Sequence, residues 1–259
     1  TYNEHNIKNY SHGMFQSVYD YPYLSSSANH IFDITVGVAR QAPIYGSITT
    51  AQGMQSKKRN IYNTMAQVLM GYDATGSVLQ FDEDGDIIGG GKKLDSCFIL
   101  PFARLLTKDE IKKESFELKL GVNHTFDNVF GAAALASNKI ITISDISASN
   151  EYRINSPVGE YGILYATNSL GQPQLLAPTL PTGEFIDTKT FNGNKYWRCG
   201  LIFYQAGIAV ITGSIFGDLL YTSGSGIGGN LKFGKNNGTT ASDQITATLT
   251  GSTISASAD

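Results

Sequence analysis

The chain reads as a mainly β protein, an antiparallel β-sandwich-like core with one or two packed helices and extended terminal arms. Three observations predict this class. The 259 residues include 28 Gly, 14 Tyr and 13 Phe. Short apolar runs, many of them alternating, are bounded by turn residues. Only one long stretch carries a helical period. At 41% hydrophobic the chain can fill a core of domain size.

Residues 1–28 are polar and aromatic without a helical period and read as an extended N-terminal arm. Within it Tyr19, Tyr21 and Tyr23 alternate, so an extended backbone would place the three rings on one face, and Pro22 argues against a central strand. The core domain is expected over 29–220. It opens with the run His30-Ile31-Phe32-Asp33-Ile34-Thr35-Val36-Gly37-Val38, whose Ile34, Val36 and Val38 share a face. A helix is expected over 57–71, with Ser56 as N-cap, an apolar stripe of Ile61, Met65, Val68 and Leu69, and Gly71 as its stop.

Residues 78–88 read as a hairpin turning at Asp84-Gly85. Strands are expected at 98–103, 116–120, 139–144, 161–166, 196–206 and 208–215. Thr107 and Glu110 have the spacing of a capping box for a short helix ending near Glu114. Three prolines, Pro173, Pro178 and Pro181, mark 167–190 as a long loop or internal joint. Residues 221–259 are rich in Gly, Ser and Thr and form a C-terminal segment with few core anchors.

Composition narrows the function classes. The formal net charge is −3 and 16% of residues are charged, below the roughly one quarter of an average domain. The longest basic run is Lys57-Lys58-Arg59, too little for phosphate neutralisation, so no nucleic-acid partner is expected. The most apolar stretch, 201–215, is interrupted by Tyr204, Gln205 and Thr212 and is shorter than a bilayer span, so no membrane partner is expected. The first residues lack the basic and apolar regions of a signal peptide. Cys97 and Cys199 are expected as two buried, reduced thiols rather than a disulfide.

Several patterns imitate chemical sites. Asp82, Asp84 and Asp86 alternate like calcium ligands, but Ile87 and Lys93 stand where an EF-hand loop needs Gly and Glu, and a solvated acidic tip is expected. Gly224-Ser225-Gly226-Ile227-Gly228-Gly229 fits a dinucleotide fingerprint, yet the Gly- and Asn-rich stretch after it cannot open the required helix. The glycines at 89–91 lack the spacing and the Ser or Thr of a phosphate loop. His5, His12, His30 and His124 show no metal-ligand spacing. Asn123 and Asn237 begin glycosylation sequons, which matter only in a secretory compartment. No catalytic residue, cofactor or metal is therefore expected. Tyr19, Tyr21 and Tyr23 are the candidate site, as an assembly interface or, with Trp197, as a sugar-stacking platform.

Five stretches carry a resemblance to known proteins: YPYLSSSANHIFDITVG at 21–37, KRNIYNTMAQVL at 58–69, FARLLTKDEIKK at 102–113, EYGILY at 160–165 and GLIFYQAGIAV at 200–210. Together they resemble a family of virion structural proteins from marine T4-like phages, particularly those of cyanobacteria. The resemblance implies a non-enzymatic structural component of the tail or baseplate, assembled in the host cytoplasm into a symmetric particle with copies of itself and other virion proteins. It transfers no catalytic residue. The alternative from the residues alone is a carbohydrate-binding adhesion module using the aromatic face.

Overall fold

The computed structural model describes residues 6–10, 14–40, 52–85, 93–102, 110–121, 140–168 and 188–213. Among them the fold is mainly β and antiparallel throughout, as expected. Its strands are β1 (Ile7–Asn9), β2 (Phe15–Tyr19), β3 (His30–Val38), β4 (Ser96–Pro101), β5 (Glu117–Gly121), β6 (Ile140–Ser144), β7 (Arg153–Ser156), β8 (Gly159–Asn168), β9 (Thr188–Phe191), β10 (Asn194–Phe203) and β11 (Ile208–Thr212). The helices are α1 (Gln52–Leu69) and the single turn α2 (Ala148–Glu151). The 11 strands hydrogen-bond in the order β1-β2-β3-β4-β11-β10-β8-β6-β5, with β7 also on β8 and β9 also on β10.

Alternation along the strands gives the sheet two apolar faces. Val36, Val38, Phe98, Leu100, Leu164 and Ile211 bury on one, and Cys97, Ile99, Ile163, Leu201, Phe203 and Val210 on the other. The register shift between Arg198 and Gly200 is a bulge that re-aims β10 midway. The first face curls. Phe102, just after β4, lies 5.1 Å from Phe32 of β3 and 5.7 Å from Phe116, which precedes β5 at the far end of the sheet.

Helix α1 packs on the second face. It begins at Gln52, ahead of the expected Ser56 cap, and of the expected stripe Ile61, Met65 and Leu69 pack on the core while Val68 does not. Val68 is 51% exposed, while Tyr62, Ala66, Leu69, Met70 and Lys58 are buried. The reason is a close approach. A Cβ added at Gly37 of β3 would lie 3.0 Å from the Cα of Tyr62, so the glycine lets the helix settle at that turn. The Tyr62 hydroxyl then donates to the Leu94 carbonyl at 2.8 Å and accepts from the Phe81 amide at 3.3 Å. Among the described residues, no helix is long and apolar enough to cross a membrane.

Several expectations need correction. Residues 6–10 and 14–20 are not an arm apart from the core, because β1 pairs with β2 and β2 with β3, so position 28 lies in a connection within one sheet. Burial of Gln16 and Ser17 and half-burial of Phe15 and Val18 let a polar sequence serve as an outer strand. Residues 110–116 form turns rather than the end of a capped helix, and Glu114 adopts φ 63°. Residues 78–85 run irregularly, held by single bridges from Tyr72 to Val78 and from Asp82 to Lys93. Strand β8 extends to Asn168 and β9 starts at Thr188, which narrows the expected joint, and 169–187 lie outside the described residues. The C-terminal segment 221–259 lies outside them too.

Candidate functional site

The expected tyrosine row falls at the β2–β3 corner. β2 ends at Tyr19, where the ladder shifts register to pair Tyr19 with His30. Asp20 closes the corner: its carboxylate accepts the Asn29 amide at 2.7 Å and the Asn29 side-chain amide at 3.0 Å, and its own amide donates to the Asn29 carbonyl at 3.1 Å. The Asn29 side-chain bond, then the backbone bond, hold the Asp20 carboxyl below its ordinary value. Ser25 donates to the Pro22 carbonyl at 2.7 Å, so 21–28 is a folded turn and not an extension of the strand.

That turn divides the three rings. Tyr19 lies 6.2 Å from Tyr23 and stands edge-on to His30 at 5.5 Å. Tyr21 projects apart at 57% exposure, beside Leu24 at 85%. An extended backbone would have kept the rings together, but Pro22 and the Asp20–Asn29 closure end the extension at Tyr19. Trp197 does not join them, for it is buried in the core on β10.

Beneath the corner, Asp33 Oδ1 accepts the Ser17 hydroxyl at 2.6 Å and lies 2.6 Å from His30 Nε2. Here the carboxylate stands between serine and histidine. A hydrolytic relay needs the imidazole next to the hydroxyl, so this arrangement braces β2 on β3 and does not activate Ser17.

Contrary to expectation the acidic turn is not a solvated tip at Asp82, although Asp84 stays half-exposed. Asp82 is fully buried and Glu83 nearly so. Asp82 pairs with Lys93 and accepts the Asp84 amide at 3.2 Å, and burial raises its carboxyl above the ordinary value. The backbone of the turn is gripped from the sheet: Tyr161 donates to the Gly85 carbonyl at 2.8 Å and Arg153 to the Asp84 carbonyl at 3.3 Å. Sequence reasoning missed this because alternation of acids says nothing about what packs over them. Asp86 and the glycines at 89–91 lie outside the described residues, as do Gly224, His5, His12, His124, Asn123 and Asn237.

Two further groups were not legible in the sequence. Asp145 is buried and accepts the Glu114 amide at 2.8 Å, the Phe116 amide at 3.0 Å and the Tyr204 hydroxyl at 3.1 Å, fastening the turn before β5 to the core. Desolvation lifts its carboxyl above the ordinary value, outweighing those three donors. Lys58, 2% exposed on the inner side of α1, has its amine pulled down to about 8 by burial. Between about pH 8 and 10.5 the unfolded chain binds a proton at this lysine that the folded chain does not, so stability rises with pH across that window. Denaturant titrations of wild type and Lys58→Met at pH 8 and pH 10 should therefore diverge, with the wild type gaining stability relative to the variant as pH rises.

Cys97 and Cys199 are both buried and outside any disulfide, as expected; the Cys97 thiol donates to the Leu94 carbonyl at 3.4 Å, and burial drives the Cys199 thiol far above its ordinary range, so that sulfur is not poised as a nucleophile. No protein-family model, curated protein or solved structure matches this chain.

Proposed function

We propose that this protein is a non-enzymatic structural component of a bacteriophage virion, of the tail or baseplate, that works by assembling with copies of itself and with other virion proteins. The observation that carries the reading is the anchored aromatic corner. Tyr21 and Leu24 present apolar area to solvent on a turn that Asp20 and Asn29 already hold in place. A surface ordered in advance loses little conformational entropy on association, and tyrosine contributes large contact area at such interfaces. The family resemblance over five stretches between 21 and 210 supports the same reading.

The test is the location of the chain in purified particles by electron microscopy, together with incorporation of a Tyr21→Ser, Leu24→Ser variant. The corner buried between subunits, and loss of the variant from particles despite an unchanged unfolding midpoint, are the expected results. A corner facing solvent in the particle, or incorporation equal to wild type, would overturn the reading. Glycan binding abolished by Tyr23→Ala would favour the adhesion alternative instead.

A further inference from the structure

The connection between β9 and β10 is as short as a hairpin allows. Phe191 pairs with Asn194, so Asn192 and Gly193 make up the whole turn, and they adopt φ 48° and φ 80°. Two positive φ values match so tight a loop to the twist of its strands, and asparagine followed by glycine adopts them with little strain. The same pair is chemically reactive. Both residues are exposed, and neither belongs to the ladder, so the Gly193 amide nitrogen takes no part in strand pairing. A Cβ added at Gly193 would meet no atom of the described residues within 4 Å. The other asparagines among the described residues all precede residues that carry side chains.

We propose that Asn192 is a site of spontaneous deamidation, passing through a succinimide formed with Gly193 to aspartate and isoaspartate. The Gly193 nitrogen gives its proton to water or hydroxide and attacks Asn192 Cγ. The new bond is N–Cγ, the bond that breaks is Cγ–Nδ2, and Nδ2 takes a proton from solvent and leaves as ammonia. Water then opens the ring. Attack at Cγ returns an ordinary aspartate, whereas attack at the Asn192 backbone carbonyl carbon leaves the main chain running through Cβ and Cγ as isoaspartate. Ring closure requires rotation about the Asn192 Cα–C bond, and an exposed turn without a Cβ at position 193 gives way there most readily.

The product bears on the fold because of how β9 is held. Among the described residues β9 pairs with β10 alone. Phe191, next to the turn, stands edge-on to Tyr165 with ring centroids 5.1 Å apart and to Tyr196 at 5.6 Å. Isoaspartate inserts a methylene carbon into a turn of only two residues, so the closing pair of Phe191 and Asn194 loses its geometry and β9 loosens with the Phe191 ring. Aspartate adds a charge but no backbone atom, and it tolerates positive φ as asparagine does. This chemistry is independent of the assembly reading.

The experiment incubates the full chain at neutral and at mildly alkaline pH and follows it by peptide mapping with mass spectrometry. A methyltransferase specific for isoaspartyl carboxylates, supplied with labelled S-adenosylmethionine, reports the isoaspartate separately from aspartate. Asn192 is expected to convert about tenfold or more faster than any other asparagine of the described residues, faster at the alkaline pH, and about tenfold or more slower in Gly193→Ala. Hydrogen exchange should show β9 amides losing protection in the isoaspartyl fraction while β4 and β11 keep theirs, and Asn192→Asp should protect β9 as the wild type does. Asn192 outlasting or merely matching the other described asparagines, an unchanged rate in Gly193→Ala, full β9 protection in the isoaspartyl fraction, or equal loss of it in Asn192→Asp would each overturn the proposal. Should fresh Gly193→Ala already lack β9 protection, Gly193→Asp, whose side chain tolerates positive φ, replaces it under the same criterion.

Discussion

Replacing Phe203 by alanine is expected to destabilise the protein by about 3–5 kcal/mol, the range for truncating a fully buried aromatic ring. Phe203 has no exposed surface and stacks on Tyr161 with ring centroids 5.1 Å apart and planes 28° apart. It also meets Phe81 at 6.4 Å, and Phe81 in turn stands edge-on to Tyr62 of α1 at 5.2 Å. These rings join the two central strands β8 and β10 to the buried acidic turn and to the helix. Removing the middle ring leaves a cavity that stiff strands on either side cannot close. Urea denaturation should show a lower midpoint at unchanged slope, and Phe203→Leu should recover about half of the loss. A drop below about 1 kcal/mol would mean that the stack does not hold the face together.

Adding a single methyl group at Gly200 is expected to cost about 3 kcal/mol or more, at the upper end of overpacking effects. The Cβ would fall 2.0 Å from the Val210 carbonyl oxygen and 3.0 Å from the Ile211 Cα. Both obstacles are backbone of β11, which pairs with β10 at Gly200 and Ile211 and with β4 on its other side. Relief therefore requires opening a central ladder. Gly193 offers the contrast. It has φ 80° and open space around it, so Gly193→Ala bears only the backbone strain of about 1–2 kcal/mol. Parallel denaturation of the two variants checks the ranking, and a Gly200→Ala variant as stable as Gly193→Ala would show that the two strands are not so closely apposed.

Much of the core was legible because local pattern and local structure coincide there. The run from His30 to Val38 alternates, and its residues form β3 over the same span. Asn192-Gly193 is a hairpin pair with both residues at positive φ, a local turn signal that joins β9 to β10. The outer strands β1 and β2 were less legible, since a strand that pairs at an edge can be polar. The inner side of α1 is wider than the stripe of Ile61, Met65 and Leu69, because Tyr62 and Lys58 count as polar although each buries an apolar body.

The sequence by itself determined the mainly β class, the principal strands, the presence of α1 with its stop near Gly71, and the burial of two cysteines outside any disulfide, because each follows from periodicity, turn chemistry or residue type within a short window. Only the tertiary structure decided that β4 pairs with β11 at the centre of the sheet, that Asp82 lies buried against Lys93, that Tyr21 parts from Tyr19 and Tyr23, and that Lys189 and Arg198 share a face with Phe191. The physical reason is range. Strand register and the desolvation of a charge depend on groups distant in the chain, and those terms leave no periodic trace in the residues that experience them.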